Sequence, residues 1–280
     1  MPSKKIQHIL ESQQFNRHWL LTQFFPEVAR MKRLVEVKGV SSALSDKTVC
    51  LLFYEPSTRT RISFEQAAQK LGAKIASTEN ASEFSSAIKG ESLADTIRVI
   101  NSLKFDAVVI RSDMEGGAVE AANVSQIPII NAGDAAGQHP TQALLDVYTI
   151  FEHFKRLDNL KVALVGDLKN GRTTRSLAYL LGKFKKIHFD LVAPAAFQMK
   201  QDILDYFDRH NISHKRTKSL ESVADQVDVV YLTRLQKERL KKNSKVNGNG
   251  VRLNDKVMAI LNKKSIILHP LPRSDGFNEL

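Results

Sequence analysis

Residues 55–61 read EPSTRTR and follow directly on the apolar run Val49–Tyr54. Ser57, Thr58, Arg59, Thr60 and Arg61 bring hydroxyl and guanidinium donors to the point where a strand turns into a helix. The free N–H groups and positive end of such a helix suit a phosphate, and forked arginine donors strengthen that preference. A lone Ser or Thr there is more often a simple helix cap. The whole string is more than a cap needs. It is not a Walker A loop, because G-x-x-x-x-G-K is absent, and no G-x-G-x-x-G fingerprint occurs either. A second cluster, His139-Pro140-Thr141-Gln142, opens another helix. A single histidine is more often structural. Here it stands beside a glutamine at a strand-to-helix turn, where both could donate to a carbonyl oxygen or a carbamoyl group. Arg111 ends a further apolar run. The stretches VGDLKNGR (165–172), TRLQ (233–236) and HPLPR (269–273) follow runs of the second half. No His/Cys/carboxylate set has metal-ligand spacing, so no metal and no cofactor is expected. No nucleophile elbow points to a covalent intermediate.

These clusters need a scaffold. Short apolar runs alternate with amphipathic stretches almost throughout. Strands are expected at 47–54, 74–78, 106–111, 127–133, 160–167, 188–194, 228–234 and 265–270. Helices are expected at 60–71, 90–103, 118–124, 139–154, 173–184, 199–209, 220–226 and 255–262. Alternating strands and helices imply parallel sheets covered on both faces. The pattern restarts after the helix that begins at His139. The α/β fold expected is therefore two doubly wound parallel-sheet domains, residues 1–140 and 141–280. Ligands in such sheets bind beyond the carboxyl ends of the strands, where the polar clusters lie. The active site is expected in the cleft between the domains.

The chain has 280 residues, 42% hydrophobic and 25% charged, as in a soluble globular protein, and enough for two cores. No apolar run approaches a membrane span, and the polar N-terminus lacks a signal-peptide core. The single cysteine, Cys50, sits in an apolar strand and reads as a packing residue in a reducing cytoplasm. The net charge of +11 is spread thinly as lysine, without interleaved aromatics or an RNP-like pattern. It fits an enzyme of anionic substrates better than a nucleic-acid binder. Residues 237–255 are polar and Gly/Asn-rich and read as a long surface loop.

Six segments in order, FYEPSTRTRISFE, KGESLADT, AGDAAGQHPTQALLD, VGDLKNGRTTRSL, LTRLQKERL and HPLPR, resemble the aspartate/ornithine carbamoyltransferase family from Phe53 to Arg273. Ornithine-specific relatives carry cysteines in the HPxQ and HxLP positions and lack Arg-x-Gln. Thr141, Pro270 and Arg234–Gln236 place this chain with the catalytic chains of the aspartate-specific branch. The resemblance implies transfer of the carbamoyl group of carbamoyl phosphate to the amine of L-aspartate, in pyrimidine biosynthesis. It makes the first domain the carbamoyl-phosphate-binding domain and the second the aspartate-binding domain. It assigns Ser57, Thr58, Arg59 and Thr60 to the phosphate. Thr60, Arg111 and His139 face the carbonyl oxygen, and Gln142 the amino group. Ser85 and Lys89 enter from a neighbouring subunit of a homotrimer with shared sites, Lys89 also serving L-aspartate. Arg172, Arg234 and Gln236 hold the aspartate carboxylates, and the backbone of Leu271 and Pro272 flanks the amine. Arg61 braces the loop by a salt bridge instead of binding ligand. A regulatory or pathway partner stays open. The departures are Ser112, where many relatives have histidine, the lysine-rich 237–255 loop, and an ending at HPLPRSDGFNEL without the family's final helix. They keep two alternatives in view: a different amine acceptor, and a weakly catalytic structural paralogue.

Overall fold

The computed structural model describes residues 8–37, 39–81, 90–236 and 251–273. The chain divides into two compact units, Met1–Thr141 and Gln142–Leu280. In the first, β1 (Thr48–Phe53), β2 (Lys74–Thr78), β3 (Ala107–Ser112) and β4 (Ile129–Asp134) form an all-parallel sheet in the order β2-β1-β3-β4. Successive residues of a strand point to opposite faces, so a run such as TVCLLF survives only where both faces are covered. Both are covered here. Cys50 and Leu52 pack on one side with Val108, Ile110, Ile97 and Ile129. Leu51 and Phe53 pack on the other with Val109 and Ala132. Each such buried aliphatic or aromatic side chain contributes roughly 1.5–3 kcal/mol over its exposed state.

An α-helical turn at Arg17–Trp19 and a π-helical stretch at Leu20–Phe24 lead into α1 (Phe25–Val37). Then come α2 (Thr58–Lys70), α3 (Leu93–Ser102) and α4 (Gly117–Val124). Gly72 follows α2 at φ +89, a conformation that costs a side-chain-bearing residue energy and stops a helix. The Ser92 hydroxyl caps α3 by accepting the Asp95 N–H at 3.1 Å, and Leu93, Ile97 and Ile100 form its buried stripe.

In the second unit β5 (Lys161–Val165), β6 (His188–Val192), β7 (Ser213–Thr217), β8 (Val229–Leu232) and β9 (Ile266–Leu268) form a parallel sheet ordered β7-β6-β5-β8-β9. The helices are α5 (Pro140–Phe154), which begins in the first unit, α6 (Arg172–Leu181), α7 (Gln201–Arg209) and α8 (Asp255–Ile260). The structure corrects two expectations. Strand β7 has no counterpart among the strands expected from the sequence, and Leu220–Gln226 is a series of turns instead of a helix. Val223 N–H bonds to Leu220 O and Gln226 N–H to Val223 O, contacts of i to i+3 that never become a helical ladder. Of the loop expected over 237–255, residues 237–250 lie outside the described residues.

Candidate active site

Because every strand within a sheet runs the same way, the carboxyl ends share one edge. In the first unit that edge places three neighbouring strands, β1, β3 and β4, beneath the chemistry-bearing residues. Beyond β1, Ser57 is extended and starts α2, but its hydroxyl donates to Thr60 Oγ1 at 2.9 Å instead of capping a backbone N–H. The first-turn N–H groups of α2 are thereby left for an anion. Thr58 and Arg59 are exposed, Ser57 and Thr60 half-buried. Arg61 does brace the loop: its guanidinium meets Glu65 at 2.7 Å and Glu79 at 3.2 Å.

Arg111, at the end of β3, is 7% exposed. Its Nη1 donates to Ala132 O at 3.2 Å and its Nη2 pairs with Glu55 Oε1 at 3.1 Å. A buried cation needs such partners, and the same bonds aim the guanidinium. Beyond β4, a tight turn delivers His139. Asp134 anchors it: its backbone O accepts Gly137 N–H at 2.7 Å, and its carboxylate accepts the N–H groups of Gly116 and Gln138. A Cβ on Gly137 would lie 2.6 Å from Asp134 Oδ1, so glycine is required there. Gln138 ties the turn to Ser12 by accepting its N–H at 2.9 Å. His139 itself is buried, with Nδ1 3.3 Å from Thr141 Oγ1.

Three adjacent strands, β5, β8 and β9, do the same work in the second unit. Beyond β5, Gly166 adopts φ +112 where Thr233 crosses it; a Cβ would stand 2.0 Å from Thr233 O. Thr233 donates from its backbone N and its hydroxyl to Val165 O and accepts Asp167 N–H at 3.2 Å. Asp167, fully buried, accepts Asn170 N–H at 2.9 Å and its Nδ2 at 3.0 Å, together with the N–H groups of Lys169 and Gln236. Burial raises its pKa, while those donors pull it back down. One carboxylate thus joins the loop leading to Arg172, first residue of α6, to the loop carrying Arg234 and Gln236. All three of those side chains are half-buried. Beyond β9 come Leu271, whose N–H donates to His269 Nδ1 at 2.8 Å, and Pro272, joined to it by a cis peptide.

Gln142 Nε2 donates to Asp146 Oδ1 at 2.9 Å, which turns the amide oxygen away from that carboxylate. Asp146 is 4% exposed and burial lifts its pKa to about 7. Its Oδ2 accepts the hydroxyl of Tyr231 at 2.7 Å. Ser85 and Lys89 lie outside the described residues. Cys50 is buried and its thiol is pushed up to about 11, which keeps it protonated and inert. Sequence reasoning missed Glu55, Asp146, Asp167 and Tyr231, the groups that hold the donors. Only the i, i+4 spacing of Gln142 and Asp146 on a helix could have pointed to one of them. Among the described residues no group of three or more His, Cys, Asp or Glu could hold a metal, and no helix is long and apolar enough to cross a membrane.

Two parallel sheets, each with arginine and other donor side chains beyond its carboxyl edge, define a two-domain α/β protein. Residues 7–152 match the carbamoyl-P binding domain of the aspartate/ornithine carbamoyltransferases, and 158–279 their Asp/Orn binding domain. The chain belongs to that family. It is 46% identical to the protein named "Aspartate carbamoyltransferase, chloroplastic" of Arabidopsis thaliana, over 97% of this chain and 70% of that one. It is 41% identical to the aspartate carbamoyltransferase catalytic subunit of Methanocaldococcus jannaschii, over 96% of this chain and 87% of that one. Among solved structures, aspartate transcarbamoylase from Trypanosoma cruzi in complex with carbamoyl phosphate and aspartate superposes with a TM-score of 0.88. Identity there is 37%, covering 96% of this chain and 86% of that one.

Proposed function

We propose that this protein transfers the carbamoyl group of carbamoyl phosphate to the amine of L-aspartate, giving N-carbamoyl-L-aspartate and phosphate, an early step of de novo pyrimidine biosynthesis. One observation carries the reading: each family domain sets its donors at the ends of three adjacent parallel strands. Those of the first suit a phosphate and a carbonyl, and those of the second suit a dicarboxylate. Ser57, Thr58, Arg59 and Thr60 bind the phosphate at the start of α2. Thr60, Arg111 and His139 donate to the carbonyl oxygen, while Gln142 Oε1 accepts from the carbamoyl NH2. Arg172, Arg234 and Gln236 bind the aspartate carboxylates, and the Leu271–Pro272 backbone borders the amine.

The amine attacks the carbamoyl carbon. Charge collects on the carbonyl oxygen, the tetrahedral intermediate collapses, and phosphate leaves with the bonding electrons of the C–O bond. Each fixed donor at the oxyanion contributes about 3 kcal/mol to the barrier reduction. Positive groups offset the repulsion between two anionic reactants held together. The departing phosphate accepts the amine proton, so no strong protein base is needed.

Ser85 and Lys89 complete the site from a neighbouring subunit of a homotrimer in this reading. Cytoplasmic residence agrees with the single buried cysteine; the plant relatives carry the word chloroplastic in their names. The test is an assay with aspartate and with ornithine. Carbamoylaspartate formation with strong preference for aspartate supports the proposal, and preference for another amine or no turnover overturns it. Mixing Lys89→Ala with Arg59→Ala subunits regains activity only if sites are shared.

A further inference from the structure

Asp146 has no place in the carbamoyl-transfer scheme, yet it is among the most deeply buried carboxylates of the chain. It lies one helical turn beyond Gln142 on α5. Both of its oxygens are occupied: Oδ1 by Gln142 Nε2 at 2.9 Å and Oδ2 by the hydroxyl of Tyr231 at 2.7 Å. Tyr231 is fully buried in β8, and its hydroxyl also engages the side chain of Thr173, next to Arg172 on α6. A free glutamine amide turns over easily, because its oxygen and nitrogen ends are nearly the same shape. Facing an ionised carboxylate, only the NH2 end can bond, and the oxygen end is fixed on the opposite side. The carbamoyl group carries its own NH2, a donor that a flipped glutamine would meet with another donor.

We propose that Asp146 is a positioning residue for carbamoyl transfer: by holding the NH2 of Gln142, and being itself held by Tyr231, it presents Gln142 Oε1 as the acceptor for the carbamoyl NH2. The proposal rests on the carbamoyl-transfer reading. It goes beyond that reading by assigning a polarity to the glutamine and a chain of support, Tyr231 to Asp146 to Gln142, through the body of the second unit. Asp146→Asn is nearly the same size and offers one amide nitrogen in place of an acceptor oxygen. Its best arrangement lets that nitrogen donate to Gln142 Oε1, which flips the glutamine.

The experiment is a double-mutant cycle on the intact protein with carbamoyl phosphate and aspartate, with thermal unfolding followed in parallel. Asp146→Asn should lower kcat by about tenfold or more, as misplacement of a substrate-facing group does. It should leave the KM for aspartate nearly unchanged and should not lower the unfolding temperature. In a Gln142→Ala background the same substitution should cost no more than about twofold further, since the two act as one unit. Tyr231→Phe leaves both the carboxylate and the glutamine in place and removes only the hydroxyl that steadies them. It should give a smaller loss of kcat that also vanishes in the Gln142→Ala background, and it decides the question should Asp146→Asn not fold. Unchanged kcat in Asp146→Asn, or losses that add in full to that of Gln142→Ala, overturns the proposal. Wild-type protein without carbamoylaspartate formation overturns the activity itself, and the positioning role with it. An active wild type with an indifferent Asp146 overturns the positioning role alone.

Discussion

Removing the carboxylate of Asp167 should separate folding from catalysis in the second unit. In the variant Asp167→Ala, three backbone N–H groups, those of Lys169, Asn170 and Gln236, lose an acceptor that is itself fully buried. An orphaned buried donor costs roughly 1–3 kcal/mol. Set against this, the variant no longer buries a carboxylate whose pKa burial had raised. The net loss of stability is about 3 kcal/mol, because the two effects oppose each other. Catalysis should suffer separately. The loops before Arg172 and around Gln236 lose a carboxylate that bonds to both. A displacement of about 1 Å in groups that orient a substrate costs about 100-fold, which corresponds to about 2.7 kcal/mol. The assay is carbamoylaspartate formation over a range of aspartate concentrations, with urea unfolding on the same preparations and equilibrium binding of carbamoyl phosphate. Turnover per unit aspartate should fall about 100-fold, whereas carbamoyl phosphate binding, for which the proposal uses mainly residues of the first unit, should move by less than about threefold. Asp167→Asn keeps one acceptor oxygen and should fall between. A folded Asp167→Ala that uses aspartate within about threefold of wild type would refute the loop-anchoring argument.

Further expectations follow from individual contacts. Gly166→Ala forces a side chain into φ +112 and a Cβ to within 2.0 Å of Thr233 O, so it should destabilise the second unit by about 3 kcal/mol or more, read by urea unfolding. Arg61→Met breaks the pairs with Glu65 and Glu79, costs about 1 kcal/mol of stability, and leaves the KM for carbamoyl phosphate nearly unchanged. Arg59→Met should raise that KM by about tenfold or more, the worth of a charge-assisted bond to phosphate. For pH, Asp146 is raised from 3.8 to about 7 in the folded protein. Folded protein therefore binds one more proton than unfolded between those values. Its stabilising effect is complete below about pH 4 and is lost as pH rises through about 7, a change of about 4 kcal/mol. Urea unfolding of Asp146→Asn between about pH 4 and 8 should show a flatter profile than wild type.

The strands buried on both faces were plain in the sequence, because Cys50–Phe53, Val108–Ile110, Val162–Val165 and Val229–Leu232 must be continuously apolar to fill two layers at once. Strand β7 reads Ser-His-Lys-Arg-Thr and, among the described residues, pairs with β6 alone at the sheet margin, so nothing in its composition announces a strand. Leu220, Val223, Ala224 and Val227 are buried at helix-like spacing, which explains why turns there passed for a helix. The residues proposed to face substrate stood out in the sequence since arginines and hydroxyls after apolar runs have few structural uses. Their supports were not. Asp146 looks like any helix carboxylate until Tyr231, 85 residues further on, is seen to hold it.

The pairing of β5 with β8 has a bearing on how the molecule comes into being. Lys161 and Asp228 bond across 67 residues of chain; β6 and β7 lie between them in sequence and on the far side of β5 in the sheet. Closing a loop of that length costs about 4 kcal/mol of chain entropy, recovered only after the strands pair. During synthesis the segment around Arg172 emerges long before the segment around Arg234. Until β8 docks, the carboxylate of Asp167 has no Gln236 N–H to receive, and the residues proposed to hold aspartate cannot be assembled. The second unit therefore becomes competent late, as one of the last consequences of folding, and destabilising changes at the β5–β8 seam should slow the appearance of activity more than the appearance of secondary structure.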